Sequence, residues 1–294
     1  MRSLLNLRRL PLRVLTVANY FRFYLKNRFA KTRFSKDSGQ PTVSMTSHGK
    51  RLKVVFVAIE SILDGGKPSP PQMVLWLPKD SKIPKSLSRL QTRGLQIMLV
   101  EDLRSHTKWY YCTLDNGLLE TGVILADDDL IYPKNWYRRI VESVNADIGV
   151  PMSVRVRWVS PKTPSRGHLD YSAWGRVGSE FPDMRNFPTS GHGLYLPGAF
   201  LKVIDNKIDR FLKLSKTSDD IWLWAEMIRN GFSPKQLEAK SVDYPSVLNF
   251  ETPLGSHNNK RGGNNEILAK MASTRPWSNF LNPARFGTLE NRVS

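Results

Sequence analysis

The sequence predicts an α/β protein: a mostly parallel sheet with helices on both faces, preceded by an N-terminal amphipathic helix. From Pro41 onward, short apolar strand-like runs alternate with helix-like runs, which implies repeated βα units. The strand-like runs are apolar almost throughout, as strands buried on both faces must be. The first forty residues differ from the rest, with ten basic side chains and one acid, Asp37. At 294 residues, 40% hydrophobic and 24% charged, the chain can bury a sizeable core. The expected organisation is a basic segment over 1–40, a catalytic-type α/β domain over 41–270 and a tail over 271–294.

After Pro11, the polar positions Arg13, Thr16, Asn19, Arg22 and Lys26 recur every three or four residues, and Leu, Val and Phe fill the rest of the wheel. The uncharged run Val14–Phe21 is far shorter than the roughly 20 apolar residues that span a bilayer. The expectation is a helix lying on an anionic membrane surface. The same pattern also suits packing on protein, and an Arg-rich, acid-poor N-terminus is shared by transit peptides.

The α/β elements follow in order. "TVSMT" (Thr42–Thr46) reads as a strand, Arg51–Leu63 as a helix and Gln72–Pro78 as a second strand after the Pro-rich turn "GGKPSPP". Ser86–Arg93 reads as a helix, Leu95–Asp102 as a strand, Trp109–Leu119 as a helix and Gly122–Ala126 as a strand. In Thr217–Phe232, Thr217 or Ser218 is a good N-cap, Ile221, Ala225 and Ile228 share a face, and Gly231 ends the helix.

Asp127, Asp128 and Asp129 directly follow the strand ending at Ala126. Ligands of open α/β sheets bind outside the carboxyl ends of the strands. Two carboxylates at i and i+2 can project to one side and share a hard divalent cation, with Asp128 pointing away or capping the helix near Lys134. Without a cation such a cluster costs stability. A second acidic pair, Asp219 and Asp220, opens the later helix, where the helix dipole alone would favour it.

Taken together, "VSMTSHGKR", "VEDLRSHTKWYY", "LADDDLIYP", "TSGHGLYLP", "SDDIWLWAEMIRNG" and "HNNKRGGNN" resemble, in order over about Thr42 to Leu268, the bacterial family-2-like glycosyltransferases of the GT-A fold. The resemblance implies a nucleotide-diphosphate sugar donor, a glycan or lipid-linked acceptor, Mn²⁺ or Mg²⁺, and a role in cell-surface polysaccharide synthesis. It implies that Thr46, Ser47 and Arg51 contact the base or ribose, that Asp127 lies near the ribose, and that Asp129 holds the metal beside Asp127. Arg104 or Lys108 would contact the phosphates, His257 would be a further metal or diphosphate ligand, and the Gly-rich "SGHG" would be an acceptor-side loop. Asp220 would be the catalytic base of an inverting enzyme, with Asp219 its neighbour. The chain departs from the family pattern at Asp219, where Glu is frequent, and at His192, which interrupts a glycine run.

A net charge of +18 and a pI near 10.1 imply an anionic partner. A nucleic-acid-binding module would spread cations and stacking aromatics across the domain, whereas here the excess concentrates at the N-terminus, so nucleic acid is not the expected partner. A basic nucleic-acid- or membrane-binding protein without catalysis is the alternative reading, as is a nucleotidyltransferase, although "TSHGKR" has one glycine where a phosphate loop would have several. A phosphatase of the Asp-x-Asp-x-Thr type would have Thr where Ile131 stands. The single Cys112 excludes an internal disulfide and suits a reducing compartment, so the expected location is cytoplasmic, peripheral on the inner face of the cell membrane.

Overall fold

The computed structural model describes residues 10–36, 39–65, 71–160, 169–240, 242–247, 263–274, 277 and 281. The chain begins with α1 (Leu10–Phe29) and then alternates β1 (Thr42–Thr46), α2 (Phe56–Gly65), β2 (Met73–Pro78), α3 (Lys85–Gln91) and β3 (Gln96–Val100). Next come α4 (Thr107–Tyr110), α5 (Asn116–Thr121), β4 (Val123–Ala126) and α6 (Trp136–Ala146). The second half contains β5 (Met152–Ser153), β6 (Val156–Trp158), β7 (Asn186–Pro188), β8 (Leu194–Leu196), α7 (Gly198–Leu201), α8 (Ile208–Ser215), α9 (Asp219–Arg229), β9 (Lys235–Gln236) and α10 (Gly263–Thr274).

The predicted α/β class and mostly parallel sheet are observed: seven strands in the order β3-β2-β1-β4-β8-β5-β9, with β8 antiparallel to both of its neighbours. Met45 of β1 pairs with Leu75 of β2 and with Ala126 of β4, so the chain leaves these three strands at one edge. β1, β2 and β4 are buried, as their continuous Val, Ile, Leu and Met runs require. One core lies between the sheet and α1, α2, α3 and α6, and another between the sheet and α4, α5, α9 and α10.

Three expected elements differ. The helix expected from Arg51 begins only at Phe56, because Gly49 turns the chain at φ +58° and Gly49–Lys53 forms a 3-10 turn. The single helix expected over Trp109–Leu119 is broken: the Asp115 carboxylate accepts the N–H groups of Gly117 (2.9 Å) and Leu118 (3.2 Å), capping a new helix. The strand expected over Leu95–Asp102 shortens to β3, at the sheet edge, where Met98 and Leu99 are half exposed.

Candidate active site

A cavity of about 500 Å³ opens at the edge where β1 and β4 end. It draws its lining from segments far apart in sequence, as expected of an open α/β sheet. Thr46 comes from β1, Arg51 from the turn after it, and Asp127, Asp128 and Asp129 from the end of β4. Arg104 and Lys108 lie before and within α4, Ser190, Gly191 and His192 in the turn entering β8, and Asp219 and Asp220 in the first turn of α9.

Lys108 joins the two acidic sites. Its Nζ is 2.5 Å from Asp127 Oδ1 and 3.2 Å from Asp219 Oδ2, and donates to Ser190 Oγ at 2.8 Å, while its side chain is only 3% exposed. Burial would lower its pKa, but Asp127, Asp219 and Asp220 raise it well above the ordinary lysine value, so it is a permanent cation. Ser190 extends the link: its hydroxyl donates to Asp219 Oδ2 (3.1 Å) and its N–H to Asp220 Oδ1 (2.9 Å).

Within the β4 cluster the three carboxylates are held differently. Asp128 neither points away nor caps a helix. It is buried, accepts Ser47 Oγ and Arg51 Nη1, both at 2.6 Å, and thereby fixes the arginine over the cluster. Asn135 precedes α6 without a side-chain cap, so the cap expected there is absent. Burial opposes ionisation of Asp127, yet Lys108 holds its carboxyl below the ordinary range. Asp129 faces the cavity with Arg51 Nη2 at 3.5 Å, and burial together with Asp127 and Asp128 pushes it up to about 7.

On the α9 side, Ser218 is the N-cap and accepts the Ile221 N–H, so neither aspartate is needed as the cap. Asp219 is buried against Lys108 and Ser190. Burial and Asp219 push Asp220 up to about 7.

The cavity thus brings together Thr46, Arg51, Arg104, Lys108, Asp127, Asp128, Asp129, Asp219 and Asp220. Ser47 lies behind Asp128, and Thr46 Oγ1 donates to the carbonyl of Trp76 (3.1 Å). Arg104 is exposed and, among the described residues, is the non-glycine residue with positive φ, +59°, a backbone strain of the kind that gathers at functional sites. His257 lies outside the described residues.

Several residues in and behind the cavity take part in ways no single motif indicates. Tyr132 Oη donates to the Gly191 carbonyl (2.8 Å) and accepts the Asp127 N–H (2.8 Å), tying the β4 exit to the β8 entry. A Cβ at Gly191 would lie 2.4 Å from Asp127 Oδ2, so any side chain there would displace that carboxylate. Arg155 and Arg157 follow β5 into the cavity, and Arg157 lies over the Tyr171 ring at 4.2 Å. His192 is held down to about 4 by burial and Arg155.

No group of three or more His, Cys, Asp or Glu side chains able to hold a metal occurs among the described residues. The donors present still fit Mn²⁺ or Mg²⁺ of the substrate-sharing type, in which one or two carboxylates and the substrate's phosphates complete the coordination. Asp129, a half-buried carboxylate with like-charged neighbours and an exposure to the cavity, is the donor most in need of a cation.

No protein-family model and no curated protein matches the chain. Among solved structures, a 4-diphosphocytidyl-2C-methyl-D-erythritol synthase is similar at 12% identity and TM-score 0.42, over 76% of this chain and 97% of that one. GalNAc-T7, crystallised with UDP, GalNAc and Mn²⁺, is similar at 12% identity and TM-score 0.40, over 82% of this chain and 52% of that one. Likeness of this degree carries no argument about chemistry, which must come from the cavity.

Proposed function

We propose that the protein is a transferase of the glycosyltransferase type, moving a sugar from a nucleotide-diphosphate sugar to a hydroxyl of a glycan or lipid-linked acceptor, with inversion, in cell-surface polysaccharide synthesis. The observation that carries this reading is the meeting of Asp127–Asp129 and Asp219–Asp220 in one cavity, bridged by buried Lys108 and Ser190. Two carboxylate sites of different environment suit two tasks.

In the proposed reaction the bond between the anomeric carbon and the diphosphate oxygen breaks, and a bond to the acceptor oxygen forms. Asp220 takes the acceptor proton. A carboxyl pushed up to about 7 is a stronger base than an ordinary aspartate and still ionises near neutral pH. The Ser190 N–H orients it, and Lys108 holds Asp219 so that the pair is not left as two unscreened charges. Mn²⁺ or Mg²⁺, held by Asp129 with Asp127, would stabilise the charge developing on the departing diphosphate. Arg104, exposed on the cavity wall, can reach the phosphates with charge-assisted hydrogen bonds.

The test is a thermal-shift screen of nucleotide sugars with and without Mn²⁺. A nucleotide sugar that raises the melting temperature only with metal, and releases nucleoside diphosphate on incubation, is the expected result. Pyrophosphate release from a nucleoside triphosphate would instead mark a nucleotidyltransferase, and no response to any nucleotide sugar would refute the proposal.

A further inference from the structure

We propose that the outward face of α1 rests on an anionic membrane surface and that its inward face holds the α/β domain there. The inward face is built into the protein. Phe23 and Asn27 are buried, and the Tyr20 ring packs edge-on against Phe56 at 5.6 Å. Asn27 Nδ2 donates to Glu60 Oε1 (3.0 Å), Arg89 Nε donates to Asn27 Oδ1 (2.8 Å), and Arg93 Nη1 meets Glu60 Oε1 at 2.5 Å. Arg22 and Lys26 close the seam on Asp64.

The outward face is as apolar as the inward one. Val17, Phe21, Leu25 and Phe29, four residues apart and therefore neighbours along one side of a helix, are 43%, 59%, 54% and 73% exposed, with Tyr24 beside them. Water is a poor partner for such a contiguous patch. Arg28 lies within it, and Lys31, Arg33 and Lys36 are solvent-accessible just beyond it. From residue 10 to residue 36 the chain has no acid at all. An apolar stripe set among cations matches lipid acyl boundary and anionic head groups together. A second copy docking two-fold on the same face would set these cations against their own images, with no acid to offset them. Among the described residues no helix is long and apolar enough to cross a membrane, so the fit is to the interface plane.

The proposal goes beyond sugar transfer and can fail without it, because vesicle binding needs no nucleotide. The full chain would be sedimented with phosphatidylcholine vesicles, with and without phosphatidylglycerol. The parent is expected to pellet with the phosphatidylglycerol vesicles and to be released by salt. The combined Phe21→Glu, Leu25→Glu and Phe29→Glu variant should bind at least tenfold more weakly. Replacing Arg28, Lys31 and Arg33 by Gln should cost about fivefold per cation. Melting temperature and hydrolysis of a nucleotide sugar in solution should stay unchanged in both variants. Equal pelleting of the triple Glu variant, or a parent indifferent to phosphatidylglycerol, would overturn the proposal. So would a parent that is dimeric by light scattering and becomes monomeric in that variant, since a second copy would then own the face.

Discussion

Replacing Lys108 by Met removes the one charge shared by both acidic sites while keeping most of the side chain's length and volume. Because Lys108 is 3% exposed and lies 3.2 Å from buried Asp219 and 2.5 Å from Asp127, whose side chain is 41% exposed, its loss leaves one buried carboxylate uncompensated and a second that water reaches. Discounted for the solvent that reaches Asp127, such a loss costs about 3 kcal/mol, against about 1.5 kcal/mol or less for the change of shape. In a chain of this size that lowers Tm by of the order of 10 °C at neutral pH. The effect must depend on pH. In the parent, Lys108 holds Asp127 below the ordinary range, so this stability is present above the unfolded carboxylate value near 4 and is lost as pH falls through the folded one. In the variant, burial and like charges raise the same carboxyls, so the penalty opens as pH rises through about 4 and becomes full above their raised values. Thermal melts of both proteins from about pH 4.5 to about pH 8 should therefore show a gap that widens with pH. A gap of constant size would refute the argument and reduce Lys108 to a packing residue.

Asp220→Asn should lower turnover by roughly 10²–10⁴-fold with donor affinity unchanged and should not lower Tm above about pH 7, where it removes a carboxylate that burial and Asp219 disfavour, whereas Asp219→Asn should be milder in turnover. Parent turnover should rise with pH through about 7 as Asp220 ionises, while its raised carboxyl draws stability down over the window from about 4 to about 7. Near-normal turnover in Asp220→Asn, measured under donor saturation, would remove it as the base. Asp129→Ala should abolish metal-dependent donor binding in the thermal-shift assay, yet raise Tm without metal above about pH 7, where the parent's Asp129 is ionised beside two other aspartates. Undiminished Mn²⁺-dependent binding by that variant would show that the cluster has no part in holding the donor.

The first four strands and the acidic sites were legible because they rest on local pattern, whereas β5 to β9, two or three residues each, are too short to show one. Buried strands show as apolar runs, and a carboxylate cluster after one of them is electrostatically conspicuous. The sequence leaves Asp128 either pointing away or capping a nearby helix, because its actual partners, Ser47 and Arg51, come from the segment after a neighbouring strand. Lys108 reads in sequence as a phosphate contact; only the tertiary fold reveals that Asp127 and Asp219, far apart along the chain, both lie beside it. Gly191 reads only as part of a Gly-rich acceptor-side loop, whereas the space its missing side chain leaves is occupied by Asp127. The helix start at Phe56 and the break at Asp115 were missed because the periodicity runs unbroken from Arg51 to Phe56 and through Asp115.

The reversed direction of β8 decides which connections belong to the cavity. Had β8 run parallel to β4, the segment entering it would have emerged at the far edge, and Ser190 could not have reached Lys108 or Asp219. Instead the chain delivers an inbound segment beside the outbound end of β4, and it is the link leaving β8 that falls at the opposite edge. That opposite edge is tightly closed: a Cβ at Gly198 would lie 1.9 Å from the Leu119 carbonyl oxygen, and one at Gly122 would lie 2.6 Å from that of Leu196. The two edges therefore offer different freedom to a lineage or an engineer. Residues added before β8 would remodel what the cavity accepts, while residues added directly after it, at Pro197 and Gly198, would meet closely fitted backbone on the edge away from the cavity.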